Sequence, residues 1–317
     1  MAALCRSLSS PAYAQGFGGN VSVKLGRGRM AIKASGFRLS QVSAKSGFCI
    51  LDFHKIAALY ENENGKSASE GESGAVISSS VLSGCEKPSI ETAFHSFLGT
   101  YVAHLHPVHL NVISCQKGAG KIISELFGRG ALFVEYAKPG HCLAARIKEK
   151  VRNRKGCVIF LQNHGVIISC GSEKECVAKM LEIERKSLAY LRARIRDFRK
   201  FSYSPLKRSG GRFANRSARA ISYSSGAKQG KFLFPDAVVF SQGIFSGKGK
   251  IRAVEGLGIE YALPFSKAEA IDEIISAHLY LLEYSGKLGK PAYLSGKDAA
   301  ELISMESEKH RQRKAGV

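Results

Sequence analysis

Apolar residues in this chain come in runs no longer than a strand. The longest lie around Cys157–Leu161 and Val166–Ile168, and such runs alternate with amphipathic stretches of helical period. A membrane-spanning helix needs roughly 18 consecutive apolar residues, so no segment here is expected to cross a bilayer as a helix. Short apolar runs interleaved with amphipathic helices are what a sheet covered by helices requires. The pattern therefore predicts an α/β or α+β protein, and the 317 residues can build a substantial core. A hydrophobic fraction of 44% with 23% charged residues excludes a disordered or fibrous chain.

The opening decapeptide, MAALCRSLSS, has no apolar h-region, so no secretory signal is expected. Eight cysteines without a CxxC pair fit reduced thiols in a cytoplasm better than a disulfide scaffold. Charge is the one compositional anomaly: 47 Lys and Arg against 26 Asp and Glu give +21. From Arg185 to Lys231 there are 14 basic residues and one acid, Asp197, so +13 of that excess falls in 47 residues. Basic stretches attract polyanions. This one accompanies no helix-turn-helix signature, RNA-binding aromatic motif or zinc-finger spacing. Nucleic acid is thus expected at most nonspecifically through 185–231, and a solvated face is the plainer reading.

Val21–Lys24 and Met30–Lys33 read as strands around a turn at Gly26 and Gly28, and Ile50–Asp52 as another. Asn62–Gly74 reads as a loop, and Pro88–Ser89 as the opening of a helix through Glu91, His95 and Leu98. Tyr101–Pro107 and Leu132–Val134 read as strands, and Cys157–Leu161 with Val166–Ser169 as a strand pair. Ala119–Phe127, Leu143–Val151 and Glu173–Arg199 have helical period. Ser202–Gly230 is rich in Ser, Gly, Arg and Lys and reads as a linker or mobile insertion. Phe232–Phe240 (FLFPDAVVF) reads as a strand, followed by a helix near Lys267–Gly286 and a short helical C-terminus. The expected division is 1–200, a basic linker 201–230, and a C-terminal extension 231–317.

Several short motifs make chemical sense together. In a strand, residues i and i+2 project to one side, so His104 and His106 stand together with Ala103 and Leu105 behind them. Two such imidazoles can share a divalent ion. His164, in Asn163-His164-Gly165 at the end of another apolar strand, would be a third ligand and leave open positions for water or substrate. His54, His141, His278 and His310 read as hydrogen-bonded structural residues, and His109 as structural or as a support to the ligands. Gly18-Gly19-Asn20, Ala34-Ser35-Gly36 and Pro88-Ser89 would, if they converge, form a phosphate cradle; separately each is only a turn. Lys33 reads as a solvated lysine. Glu91 faces His95 across one helical turn; it is either complementing a helix dipole or acting as a general base.

In this order, GGNVSVK, IKASG, PSIETAFH, HLHPVH, EYAKPG and QNHGVIIS resemble the class II aldolase/adducin family over about residues 10–195. Its members include L-fuculose-1-phosphate and L-rhamnulose-1-phosphate aldolases, related epimerases and dehydratases, and the non-catalytic adducin head. The resemblance implies a three-layer α/β/α domain around a mainly antiparallel sheet. It carries the metal histidines to His104, His106 and His164, and the acid/base carboxylate to Glu91. It carries the phosphate-binding positions to Asn20, Ser35, Gly36 and Ser89. Tyr136 resembles a tyrosine that reaches a neighbouring subunit's site and donates a proton; a half-buried strand-end tyrosine is its plainer role. A Glu at position 91 resembles the aldolases and the dehydratase rather than the epimerases, which carry Asp. Two departures are a shorter stretch from Glu91 to His104 and Ile90 where the family has a second phosphate-loop serine. Residues 231–317 resemble the extension of longer bacterial sugar aldolases and show no dinucleotide fingerprint.

The implied protein is a cytoplasmic, Zn²⁺- or other divalent-metal-dependent aldolase cleaving a phosphorylated ketose, and a homo-oligomer, a tetramer by resemblance. The alternatives are a dehydratase or epimerase of the same family, or a non-catalytic, polyanion-binding adducin-like protein.

Overall fold

A computed structural model of the protein describes residues 1–61, 68–84, 87–128, 131–152, 154 and 156–317. Strands β1 (Asn20–Gly26) and β2 (Arg29–Lys33) form a hairpin closed by Arg27 and Gly28, both at positive φ, as a tight two-residue turn requires. With β3 (Phe48–Asp52), β4 (Val81–Ser83), β5 (Tyr101–Leu105), β6 (Leu132–Val134), β7 (Cys157–Leu161) and β8 (Gly165–Cys170) they form one sheet of order β4-β3-β2-β1-β5-β8-β7-β6. Every neighbouring pair is antiparallel except β6 with β7.

The central strands are covered on both faces, and period two sorts their side chains into two cores. Ala103, Leu105, Val166 and Ile168 face one side, packed with residues of helices α5 (Val108–Ser114) and α8 (Glu173–Arg194). Val102, Ile159 and Ile167 face the other, with residues of α4 (Thr92–Phe97) and α7 (His141–Val151). Helices α2 (Phe53–Leu59) and α3 (Glu70–Ser79) join the second core through Ile56 and Ile77. The short α1 (Ala2–Ser7) and α6 (Ala119–Phe127) join the first. The result is a three-layer α/β/α domain with a mainly antiparallel central sheet.

Three stretches differ from the sequence reading. Glu70–Ser79 is a helix rather than loop: Ser69 accepts from the Glu72 amide and Glu72 from the Ser69 amide, a reciprocal cap that starts it. Of the rest of that reading, 62–67 lie outside the described residues, and Ala68 and Ser69 lie ahead of the helix without regular structure. The 201–230 segment carries β9 (Lys207–Ser209), β10 (Arg212–Asn215) and α9 (Ala218–Ser224). With β11 (Ile251–Val254) and β12 (Gly258–Tyr261) these strands form a second sheet of order β11-β12-β10-β9. Its basic residues are partly paired, Arg216 with Glu260 and Arg219 with Glu283. Phe232–Phe240 is not a strand either. Pro235 lacks an amide proton and its fixed φ suits a first helical turn, so α10 (Pro235–Ser241) begins there.

The extension continues through the long α11 (Phe265–Leu288), α12 (Gly296–Ser304) and α13 (Glu306–Ala315). Helix α11 is buried along most of its length, and Ile271, Ile274 and Leu281 belong to the same core as Ala103 and Leu105. It also grips the glycine-rich N-terminal segment: Glu273 Oε2 accepts from the Gly16 amide at 2.8 Å, and Arg38 pairs with both Glu269 and Glu273.

Asp272 ties the second sheet to α11. Its Oδ1 accepts from Tyr261 Oη at 2.6 Å and from Asn215 Nδ2 at 2.8 Å. Burial pushes its carboxyl up to about 6, against the opposing pull of the Tyr261 and Asn215 hydrogen bonds. The folded protein therefore holds that proton more tightly than the unfolded chain does, and stability drains away as pH rises from about 4 to about 6. Asp272→Asn keeps the Oδ1 acceptor and removes the titration. Melting temperatures measured between pH 4 and pH 6 should fall less steeply with rising pH in this variant than in the wild type.

Candidate metal centre and its cleft

The three histidines are brought together by strand pairing. His104 lies in β5 opposite Asn20 of β1 on one side and Ile167 of β8 on the other. His106 is just past the strand end, its amide donating to the Tyr13 carbonyl at 2.8 Å and its carbonyl accepting from Gln15 Nε2. His164 sits in the turn between β7 and β8, which Asn163 closes at φ 56°. The Asn163 amide side chain donates to the carbonyls of Leu233 (2.8 Å) and Ala292 (2.6 Å), so it fastens the C-terminal extension. Two glycines let the backbones close in. Gly19, at φ 73°, passes so near His104 that a Cβ would lie 3.1 Å from its carbonyl oxygen. At Gly165 a Cβ would run into the Leu105 carbonyl.

Ring centroids of His104, His106 and His164 lie 4.8–5.1 Å apart, and one ligand atom from each fits within 4.8 Å of the others. Among the described residues this is the one such group of His, Cys, Asp or Glu. His104 Nδ1 faces the Val166 carbonyl at 3.2 Å; a carbonyl only accepts, so that nitrogen carries a proton and Nε2 is the one turned to the other histidines. Nε2 of His104 and Nε2 of His106 face each other at 3.1 Å, an arrangement that needs a shared proton or a cation. Burial, reinforced by His104, pulls His106 down to about 3. Burial also pulls His164 to about 3, against the attraction of Glu91. Three buried imidazoles whose ring nitrogens come this close together are the donor set of a divalent transition-metal site, so the residues fit such an ion.

Glu91 caps the start of α4 and is 7% exposed. Its Oε1 lies 3.4 Å from both His104 Nε2 and His164 Nε2 and has no hydrogen-bond partner among the described residues, while Oε2 accepts from Asn20 Nδ2 at 2.6 Å. Burial alone would raise this carboxyl, but His104 first, then His164 and His106, outweigh it and hold it well below the usual carboxylate range. It is an anion beside the three rings.

Asn20, Ser35, Gly36, Ser89, Glu91, His106 and His164 all line one cleft, so the glycine and serine motifs do converge. Two details depart from the sequence reading. Helix α4 starts at Thr92, and Ser89 lies ahead of it, its hydroxyl accepting from the Glu91 amide at 3.3 Å. Lys33 is buried rather than solvated, donating to the carbonyls of Phe37 (2.7 Å) and Phe17 (3.3 Å); burial, then the Arg311 charge, pull it down to about 8. Tyr136 is absent from this cleft of its own chain. Its hydroxyl is buried with no hydrogen-bond partner among the described residues, and burial followed by the charges of Asp298 and Glu301 raises its pKa. His109 is structural: its Nδ1 meets Glu184 of α8 at 2.9 Å and its Nε2 accepts the Phe201 amide.

The extension supplies cleft residues that the sequence reading missed: Asp236 of α10, and Glu308 and Arg311 of α13. Arg311 bridges Asp236 Oδ1 and Glu308 Oε2, each at 2.8 Å. One signal was present, an acid inside the otherwise apolar FLFPDAVVF. The geometry also makes Gly165 a sensitive position. Gly165→Ala should force β8 away from Leu105, lower stability in urea denaturation by about 1–3 kcal/mol, and weaken divalent-cation binding measured against a chelator.

Solved structures and sequences place this arrangement among known proteins. The N-terminal class II aldolase domain of a conserved protein from Thermoplasma acidophilum superposes with a TM-score of 0.53 at 23% identity, over 60% of this chain and 91% of that one. That likeness is one of fold. An L-fuculose-1-phosphate aldolase from Thermus thermophilus is more distant, with a TM-score of 0.41 at 15% identity over 61% of this chain and 92% of that one. A Bacillus subtilis protein named uncharacterized oxidoreductase YuxG is 30% identical over 125 residues, 38% of this chain. The chain spans 18% of that relative's length. The family model described as class II aldolase and adducin N-terminal domain matches residues 1–191, more than half of the protein. The chain belongs to the class II aldolase and adducin family.

Proposed function

We propose that the protein is a divalent-metal-dependent aldolase acting on a phosphorylated ketose, with its catalytic groups in residues 1–200. The observation that carries this reading is the meeting of three buried imidazoles with the buried carboxylate of Glu91, whose Oε1 lies 3.4 Å from His104 and His164, in one polar cleft. His104, His106 and His164 would hold the cation, Zn²⁺ being the ion that suits three imidazoles and an open position. Once bound, that ion supplies electrophilic stabilisation for negative charge developing on the substrate's carbonyl oxygen.

The chain's own groups do the rest. In cleavage, the bond between the carbon next to the carbonyl and the hydroxyl-bearing carbon beyond it breaks, and the aldehyde leaves. As that bond breaks, the proton of the hydroxyl passes to the ionised Glu91, which then delivers it to the carbon next to the carbonyl; condensation runs the same transfers in reverse. Its Oε1 has no other hydrogen to accept, while Asn20 steadies Oε2. Asn20, Ser35, Gly36 and Ser89 line the cleft with small polar groups suited to a phosphate, and the buried Lys33 and Arg311 add positive charge. Tyr136 enters this reading only as the resemblance has it, as a proton donor at a neighbouring subunit's site, since it does not line the cleft of its own chain. Assembly into a homo-oligomer remains part of the proposal through family resemblance alone.

The test is triose-phosphate release from a panel of ketose 1-phosphates by the metal-loaded protein. Glu91→Gln should lose about 10²–10⁴-fold in turnover while retaining the divalent cation, and His106→Ala should lose both. Glu91→Gln turning over at the wild-type rate sinks the base assignment. A single dehydrated product in place of triose phosphate and aldehyde would replace the aldolase with a dehydratase built on the same groups.

A further inference from the structure

We propose that Asp236, on α10 of the C-terminal extension, is a positioning residue for His106, held in place by Arg311, and that the extension thereby completes the metal centre from within the same chain. This rests on the reading that the three histidines bind a divalent cation. Two buried polar atoms face each other across the junction: His106 Nδ1 and Asp236 Oδ2 lie 3.5 Å apart, and neither has a hydrogen-bond partner among the described residues. Nδ1 is the ring nitrogen turned away from the cluster, since Nε2 is the one that meets His104. Asp236 therefore addresses the back of the imidazole, not the point where the three rings converge.

The chemistry of that pairing is directional. A carboxylate accepts, so Asp236 fixes the His106 proton on Nδ1, leaves the Nε2 lone pair for the cation, and makes that nitrogen more basic. The other carboxylate oxygen is engaged by Arg311 Nη2 at 2.8 Å, and Arg311 Nη1 by Glu308 at 2.8 Å. Asp236 and Glu308 are 4% and 2% exposed, so this row of groups, running from α13 through α10 to the metal site, is shielded from water. Removing water strengthens each link and penalises an unpaired charge.

Gly18 is the third part of the arrangement. Its backbone passes so close that a Cβ there would lie 2.7 Å from Asp236 Oδ2 and 3.0 Å from His106 Nδ1. The absence of a side chain at this position is what lets the carboxylate and the imidazole meet. Gly18→Ala is thus a wedge that leaves every proposed ligand and Asp236 itself in the chain.

The experiment strips the full-length protein with chelator and titrates it with Zn²⁺ and Co²⁺ against a chromophoric competitor, following the visible Co²⁺ bands as well. Asp236→Ala should weaken the cation by roughly 10–100-fold and change the Co²⁺ spectrum. Asp236→Asn, which matches the native shape and keeps an oxygen acceptor, should lose less. Gly18→Ala should shift affinity in the same direction as Asp236→Ala. A merely structural Asp236 would change melting temperature without moving the Co²⁺ spectrum of the folded protein. If His106→Ala abolishes binding while Asp236→Asn, Asp236→Ala and Gly18→Ala all bind like the wild type, the positioning role is overturned and the metal site stands. If His106→Ala binds as the wild type does, the three-histidine reading itself fails, and the role of Asp236 falls with it.

Discussion

The pairing of β5 with β8 is the constraint on which the candidate site depends. Leu105 pairs with Val166 and His104 with Ile167, so the end of one apolar strand meets the turn that begins the other. His104 and His106 are close by virtue of strand geometry alone, but His164 reaches them only because this register is kept. A slip of one residue would send His104 to the face occupied by Ala103 and Leu105. The glycine at position 165 permits the close approach, and the two cores flanking the sheet hold the register by burying alternate residues of both strands.

Around that junction the protein concentrates charge where water is scarce. Glu91, Asp236 and Glu308 are almost fully buried, as is Lys33, and Arg311 lies between two of the carboxylates. Buried ions of this kind are retained when they are paired or have a ligand to meet. Burial pushes Glu308 up to about 7 despite Arg311, whereas the histidines hold Glu91 low. The two acids thus differ in environment: one is set among the three histidines, which favour its anion, the other near two further carboxylates that oppose it.

The C-terminal extension is more than a covering. Helix α11 shares the main core and holds the segment before the Gly18-Gly19 turn through Glu273. Asn163, next to the histidine that completes the cluster, fastens Leu233 and Ala292 of the extension rather than facing the cleft. Gly36, expected to cradle a phosphate, has the side chain of Lys314 as its nearest neighbour, a Cβ there lying 3.3 Å from it. The cleft is therefore built from both ends of the chain.

The sequence by itself determined most of the main sheet and the pairing of two histidines. Apolar runs of strand length marked seven of the eight strands of that sheet, all but β4, and period two set His104 and His106 on one side, because these depend only on local backbone geometry. The ordered motifs around Asn20, Ser35, Glu91, His104 and His164 carried the family. Elements whose local signals conflict were read wrongly. FLFPDAVVF is apolar enough for a strand, yet its proline starts a helix, and the Ser- and Gly-rich 201–230 stretch forms strands because β12 and α11 give its few apolar residues a surface to bury. Which charges enter the cleft was settled only by tertiary structure. Lys33 is buried, and Asp236 and Arg311 come to His106 from far along the chain, because their positions follow from how α10, α11 and α13 pack on the sheet, and no local pattern encodes a contact between such distant segments.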